Sequence, residues 1–221
     1  MTAGTLEDGV GCWRQATTSA AAFRGRGALF LDRDGVIVRE EHFLAREEDV
    51  ALLPGAASTI AAFNRAGIPV VVTTNQSGVG RGYFAWADFE LVQEEISRQL
   101  ARGGASIDAA YACAYHPAGI ENFAVDNHPW RKPNPGMVLA AERDLGVELS
   151  DSWVVGDRAR DLAAGRAAGL AGGLHVMTGH GTDEERERSI ALQGTAFAVV
   201  PGATIAHAKF LLPTLLGEPA C

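Results

Sequence analysis

Asp32 and Asp34 stand two residues apart in the segment Asp32-Arg33-Asp34-Gly35, directly after the apolar run 28–31. Carboxylates this close at the end of a buried strand raise one another's pKa and destabilise the fold unless they share a cation. The pair therefore suits metal binding or acid–base chemistry, although an ordinary Asp-Gly turn uses the same residues. Asp157 closes a second apolar run, 152–156, and Asp161 follows it by one helical turn, where an N-cap role is the plain alternative. Two further segments could hold an anion. Thr73-Thr74-Asn75-Gln76-Ser77-Gly78-Val79-Gly80-Arg81-Gly82 combines three glycines with small hydroxyl and amide residues, a composition that can aim backbone N–H groups at a phosphate. It lacks the Gly-Lys-Ser/Thr ending of a nucleotide-binding P-loop, and a flexible loop would look the same. Arg131-Lys132-Pro133-Asn134-Pro135-Gly136 reads structurally as a proline-stiffened helix entry. Functionally, it could point Lys132 into the acidic cluster, where its charge would neutralise Asp32 and hold a phosphoryl oxygen.

These segments need a scaffold that gathers them. Short runs rich in β-branched residues fall at 28–32, 68–74, 107–114, 152–157, 174–178 and 197–200. Helical patterns lie near 55–66, 85–102, 135–146, 159–169 and 202–212. The clearest is 85–102, where Phe89, Val92, Ile96 and Leu100 recur at steps of three and four. Strict alternation of strand and helix predicts a parallel sheet with right-handed crossovers, a doubly wound α/β sandwich. The runs at 68–72 and 154–155 are continuously apolar, as strands covered on both faces should be. Ligands of such sheets collect beyond the carboxyl ends of the strands, which is where all four segments fall. Residues 1–25 show no sustained period and read as an extension without chemistry; residues 26–217 form one domain.

Composition narrows the function. The chain has 221 residues, 47% of them hydrophobic and 21% charged, enough apolar material for a full-sized core. A net charge of -8 argues against a surface that binds nucleic acid. A small phosphorylated ligand remains compatible, because a few local cations can dominate one pocket. Cys12, Cys113 and Cys221 are odd in number and far apart, which speaks against a disulfide framework. No apolar run reaches the ~20 residues of a membrane span. Glu7 and Asp8 precede any apolar stretch, so the expected location is the cytoplasm.

The conjunction LDRDGVI, TNQSGVGRG, RKPNPGM and VGDRARD resembles the haloacid dehalogenase-like phosphatases over about residues 28–215. Within them it is most similar to the D-glycero-D-manno-heptose 1,7-bisphosphate and histidinol-phosphate phosphatases. The resemblance implies a Rossmann-like domain without a large cap and a phosphomonoester hydrolase that works through an aspartyl-phosphate. It implies Asp32 as nucleophile, Asp34 as acid and base, and Thr74 with Lys132 holding the transferring oxygens. Mg²⁺ would be held by Asp32, the Asp34 carbonyl and Asp157, with Asp161 orienting that set. Glu40, His42 and Phe43 take the position that contacts the sugar, Asn75, Gln76 and Ser77 line the approach, and Arg131 and Arg158 could hold a second phosphate. The expected substrate is a small phosphorylated metabolite, most simply a sugar bisphosphate, acted on by a monomer or weak homodimer. Histidinol phosphate, a nucleic-acid 3′ end and a receiver-like phosphoryl-binding module are the alternatives. A receiver lacks the second aspartate of the Asp-x-Asp pair.

The heptose phosphatases also carry a zinc loop, with one Cys-x-His and one Cys-x-Cys pair before the Arg-Lys-Pro motif. In that register Cys113 is retained, Tyr115 replaces the histidine, and His128 and Trp130 replace the two cysteines. His116 sits one place too far along. A closed structural zinc site wants four N or S donors, so no zinc is expected, and packing of Tyr115, Phe123 and Trp130 should hold the loop instead.

Overall fold

The computed structural model describes residues 3–17 and 20–217; Cys221 and part of the small-residue stretch 16–22 lie outside them. In chain order the elements are β1 (Thr5–Leu6), β2 (Cys12–Ala16), β3 (Leu29–Leu31), α1 (Ala56–Arg65), β4 (Val70–Asn75), α2 (Ser77–Gly80), α3 (Trp86–Arg102) and β5 (Ala109–Cys113). They continue with α4 (Gly136–Leu145), β6 (Trp153–Gly156), α5 (Ala159–Ala168), β7 (Gly172–Val176), α6 (Asp183–Ile190), β8 (Ala198–Gly202) and α7 (Leu212–Leu215). Together the strands form one sheet in the order β1-β2-β5-β4-β3-β6-β7-β8. From β5 to β8 every neighbouring pair is parallel, and β3 lies between β4 and β6. The chain winds outward from β3 in both directions, which opens a crevice at the carboxyl ends of β3, β4 and β6.

Strand pleating explains why these strands read as unbroken apolar runs. Leu29 and Leu31 face one layer with Val70, Val72, Phe89, Val92 and Ile96. Phe30 faces the other with Val71, Val154, Met137, Ala141 and Leu162. Both faces are covered by helices, so neither can be polar.

Three features depart from the sequence expectation. Residues 5–16 form an antiparallel hairpin, with β2 paired antiparallel to β5, so the sheet is mixed rather than wholly parallel. Its strands are too short and unevenly buried to show a period, and Trp13 is buried in the core. Helix α6 has no apolar stripe to find: Ser189 is its only buried residue among those described. It is held by the Thr182 N-cap and by Arg188 pairing with Glu184 and Glu185. The helix expected at 202–212 is mainly a 3₁₀ turn, Ile205–Leu211, whose buried Ile205, Ala208 and Leu211 recur every three residues, the period of that helix. The stretch between β3 and α1 holds only turns and a 3₁₀ segment, Glu47–Asp49, with no cap domain among the described residues. No helix is long and apolar enough to cross a membrane.

Candidate active site

The ladder brings the strand-end carboxylates together. Leu31 is in register with Val155, and the Asp32 N–H donates to the Val155 carbonyl at 3.0 Å, so Asp32 and Asp157 leave neighbouring strands at the same level. Asp161, in the first turn of α5, completes a buried trio with one oxygen from each carboxylate within 4.8 Å of the others. Gly35 has φ +83°, and a side chain there would run into the Asp157 carboxylate. That position tolerates only glycine because of both its left-handed backbone and the close approach.

Lys132 enters this cluster from the loop before α4. Its Nζ lies 2.9 Å from Asp32 Oδ1 and 2.7 Å from Asp161, and it donates to the Thr73 carbonyl at 2.8 Å. Asn75, at the end of β4, fixes the lysine's main chain from both sides: Nδ2 donates to the Lys132 carbonyl and Oδ1 accepts from the Lys132 N–H. Asp32 Oδ1 also accepts from the Arg33 N–H. Oδ2 has no hydrogen bond among the described residues, which leaves it available to another group.

Asp34 has separate partners. The Arg33 guanidinium, almost wholly buried and 5.1 Å from the Phe89 ring, reaches both of its oxygens at 3.0–3.2 Å. Gln76 Nε2 donates to Asp34 Oδ2 at 3.0 Å and to Thr74 Oγ1 at 2.9 Å, which ties β4 to the β3 loop.

Burial pushes the carboxyls of Asp32 and Asp157 above the ordinary range. Lys132 opposes this at Asp32, while Asp161 adds to it at both. Burial works against the lysine's charge too, but Asp161 and Asp32 outweigh it and raise its pKa. One ammonium thus faces three buried carboxylates, an excess of negative charge that a divalent cation would balance. The donors are all hard oxygens, which fits Mg²⁺.

Above the trio opens a pocket of about 270 Å³. On one wall Glu40 accepts from His180 Nε2 at 3.1 Å, and the His180 N–H donates to Asp157 Oδ2 at 2.7 Å. Burial raises the Glu40 carboxyl, Asp34 adds to the rise, and His180 and Arg158 oppose it. Arg131, Arg160 and His116 also line the pocket. Burial lowers the His116 pKa, and Arg131, Arg81 and Arg160 lower it further. The rim carries His42 edge-on to Phe43 at 4.5 Å and Phe43 edge-on to Tyr83 at 4.7 Å, with Arg81 over the Tyr83 ring.

The catalytic, metal-binding and substrate-binding residues expected from the sequence therefore meet in one place. Asp32, Asp34, Thr74, Asp157, Glu40, His42, Phe43, Asn75, Gln76, Ser77, Arg131 and Arg158 line the pocket, and Lys132 lies beneath it against Asp32. Sequence reasoning missed Arg33, Arg160 and His180. Arg33 lay inside the Asp-x-Asp motif, and Arg160 stands two residues after Arg158. His180 follows β7 in Thr178-Gly179-His180-Gly181, a strand end that was open to inspection.

The chain is similar to several phosphatases. A family model described as HAD-hydrolase-like matches residues 129–202. The D-glycero-beta-D-manno-heptose-1,7-bisphosphate 7-phosphatase of Mesorhizobium japonicum is 47% identical over 149 residues, 67% of this chain and 69% of that protein. The corresponding alpha-anomer enzyme of Burkholderia mallei is 42% identical over 191 residues, 86% of this chain and 94% of that protein. Among solved structures, a putative HAD-like phosphatase from Mesorhizobium loti superposes with a TM-score of 0.85 at 36% identity, covering 99% of each chain. The D,D-heptose 1,7-bisphosphate phosphatase of B. bronchiseptica, solved with magnesium and phosphate, gives a TM-score of 0.70 at 33% identity, covering 84% of this chain and 98% of that one.

Proposed function

The chain belongs to the haloacid dehalogenase-like phosphatases, in the heptose 1,7-bisphosphate phosphatase family, and from that premise we propose that it removes one phosphate from a heptose 1,7-bisphosphate through a phosphoryl-Asp32 intermediate. It is a hydrolase of phosphoric monoesters acting on a sugar bisphosphate. The heptose, the anomer and the residue roles are the proposal. The observation that carries it is the Asp32–Lys132–Asp161 cluster at the foot of a pocket whose wall bears Arg131 and Arg160.

Phosphate monoester hydrolysis is among the slowest uncatalysed reactions, so the site must lower the barrier by on the order of 20 kcal/mol. Dividing the reaction into two displacements reduces what each step requires. In the first, an oxygen of Asp32 attacks phosphorus and the bond to the sugar oxygen breaks, while Asp34 gives that oxygen its proton. In the second, a water oxygen attacks the same phosphorus, its proton passes to Asp34, and the phosphorus–Asp32 bond breaks to release inorganic phosphate. Arg33 and Gln76 hold Asp34 in place between these roles. Lys132 and the Thr74 hydroxyl face the charge that gathers on the transferring oxygens. Asp32 and Asp157, with the Asp34 carbonyl, would hold Mg²⁺, which when bound screens the carboxylate from the phosphate and polarises the phosphoryl group. Asp161 serves this set by fixing Lys132. Glu40 and His180 suit hydroxyl groups of the sugar, and Arg131 and Arg160 suit its second phosphate.

The relatives named above favour a sugar bisphosphate over histidinol phosphate, a nucleic-acid end or a phosphoryl-binding receiver. Steady-state assays with Mg²⁺ on both heptose bisphosphate anomers, histidinol phosphate and a 3′-phosphorylated oligonucleotide test the proposal. The highest kcat/KM should fall on a heptose bisphosphate. A tenfold preference for either of the other substrates would overturn it.

A further inference from the structure

We infer that the amino-terminal hairpin positions Arg131 through a hydrogen bond between Asp8 and Tyr115, and that this contact holds the 114–131 loop without a metal ion. The inference rests on the reading above in giving Arg131 the second phosphate of the substrate.

Asp8 lies in the turn between β1 and β2, and both of its oxygens are engaged. Oδ1 accepts the backbone N–H groups of Val10, Gly11 and Cys12 at 2.9–3.0 Å. Oδ2 accepts the hydroxyl of the buried Tyr115 at 2.6 Å. Burial works against its charge, yet the Tyr115 hydroxyl and the three N–H groups prevail and hold the carboxyl well below the usual range. The hairpin is itself fastened to the domain, since Gly11 accepts from the Ala114 N–H and Val10 accepts from the Trp86 indole, each at 2.9 Å. A side chain at Gly11 would collide with the Tyr115 ring, so the hairpin backbone lies against that ring.

Tyr115 passes this anchorage on. Its ring stacks on His128 with centroids 4.0 Å apart. Its carbonyl accepts from Arg131 Nη1 at 2.9 Å, while the His128 carbonyl accepts from the Arg131 N–H at 2.9 Å. The two stacked residues thus hold Arg131 by side chain and by main chain. The tether is a neutral carbonyl, and no carboxylate pairs with this guanidinium among the described residues. Its charge therefore stays uncompensated, beside Arg160, in the pocket. A cation kept near other cations needs such a mechanical hold, because electrostatics alone would swing it outward.

The zinc that the family's loop register implies does not fit here. Asp8, Cys12 and His128 do bring one possible donor each within 4.8 Å. They are three rather than four, however, and Asp8 already accepts four hydrogen bonds. His128 Nδ1 accepts from the Trp130 N–H. The hydrogen bond and ring stack do the work a closed four-donor site would do.

Tyr115→Phe removes only the hydroxyl, and Asp8→Asn is the partner variant should the first fold poorly. For each, kcat and KM are measured on the sugar phosphate that the wild type turns over best and on p-nitrophenyl phosphate, which has no second anion. The expected result is a KM raised about five- to tenfold on the sugar phosphate, with kcat on p-nitrophenyl phosphate within twofold. In an Arg131→Ala background the same change should add almost nothing, since the two act as one unit. Parallel losses on both substrates, or effects that simply multiply with Arg131→Ala, would overturn the positioning role. About one zinc per chain by metal analysis of the purified enzyme would overturn the metal-free hold. A wrong substrate assignment shows instead in the wild type, as no preference for a bisphosphate.

Discussion

The ammonium of Lys132 lies 2.7 Å from an Asp161 oxygen, with both side chains almost completely buried. Asp161 sits on α5 and Lys132 comes from the loop before α4, so the contact joins two elements far apart in sequence. It gives the lysine a fixed counter-charge on the side away from the pocket, and the same ammonium reaches Asp32 at 2.9 Å. A lysine paired with Asp32 alone would have to leave it whenever that oxygen formed another bond. The Asp161 contact and the Thr73 carbonyl keep it in place.

Removing either side of this arrangement should have distinct effects. Lys132→Met leaves three buried carboxylates without a cation, a change expected to cost about 3–5 kcal/mol of stability. Added Mg²⁺ should recover part of that loss. Asp161→Asn keeps the shape and one counter-charge, so the melting temperature should fall only slightly while kcat drops about 10²-fold through the misplaced lysine. Thermal melts with and without Mg²⁺, paired with kcat, separate the two. An Asp161→Asn enzyme with wild-type kcat would dismiss the positioning role.

The nucleophile is tested by charge-neutral substitutions that keep the shape. Asp32→Asn should fold and lose at least about 10⁴-fold in turnover, because no oxygen remains that can form the acyl-phosphate. Asp34→Asn leaves the first displacement possible but without its acid and base, so labelled phosphate should accumulate on the protein after a rapid quench. Substantial turnover by Asp32→Asn would sink the covalent route.

Much of this is legible in the sequence. Each strand-end motif lies on a strand whose two-sided burial shows as an unbroken apolar run, so Asp32, Thr74 and Asp157 could be placed from sequence. What stayed hidden depends on contacts between distant segments. Asp8 looked inert because a two-residue strand carries no period and its partner, Tyr115, lies 107 positions away. The two functional groups of Asn75 go to the Lys132 main chain, and no residue spacing reveals such a pairing. Arg33 was visible in its motif but unassigned, since only packing against Phe89 shows that its guanidinium turns back onto Asp34.

Metal removal should make stability depend on pH with a definite sign. Without a cation, burial raises the carboxyls of Asp32 and Asp157 above their ordinary 3.8. Above that value the folded protein binds more protons than the unfolded chain, so stability falls as pH rises. With EDTA, the melting temperature contributed by this pair should decline from about pH 4 towards neutrality. Mg²⁺ competes with those protons, so its stabilisation should grow over the same interval. Melts at several pH values check this, using Asp157→Asn to isolate the pair. A Mg²⁺ effect that is constant with pH would contradict it.

Arg160 offers the sharpest test of how the pocket reads its substrate. Of the two arginines at the start of α5, Arg158 lies near enough to Glu40 to oppose the rise in its pKa, whereas Arg160 acts on Arg131, His116 and Lys132. Arg160, like Arg158, has a buried Nε without a hydrogen-bond partner and no ion pair with a carboxylate among the described residues. A hydrogen bond to a charged group contributes about 1.5–3 kcal/mol, so losing one to a substrate phosphate should raise KM roughly 10- to 150-fold. Arg160→Gln should show that rise on a sugar bisphosphate and a much smaller one on p-nitrophenyl phosphate. Arg158→Gln should instead lose discrimination among sugars, because it disturbs Glu40 and the wall suited to hydroxyl groups. A spectroscopic reading accompanies the kinetics: with Arg160 neutralised, the His116 pKa should move back up towards its ordinary 6.5, as followed by the NMR shifts of its imidazole protons. If Arg160→Gln weakens both substrates equally, the anionic end of the substrate does not lie against Arg160.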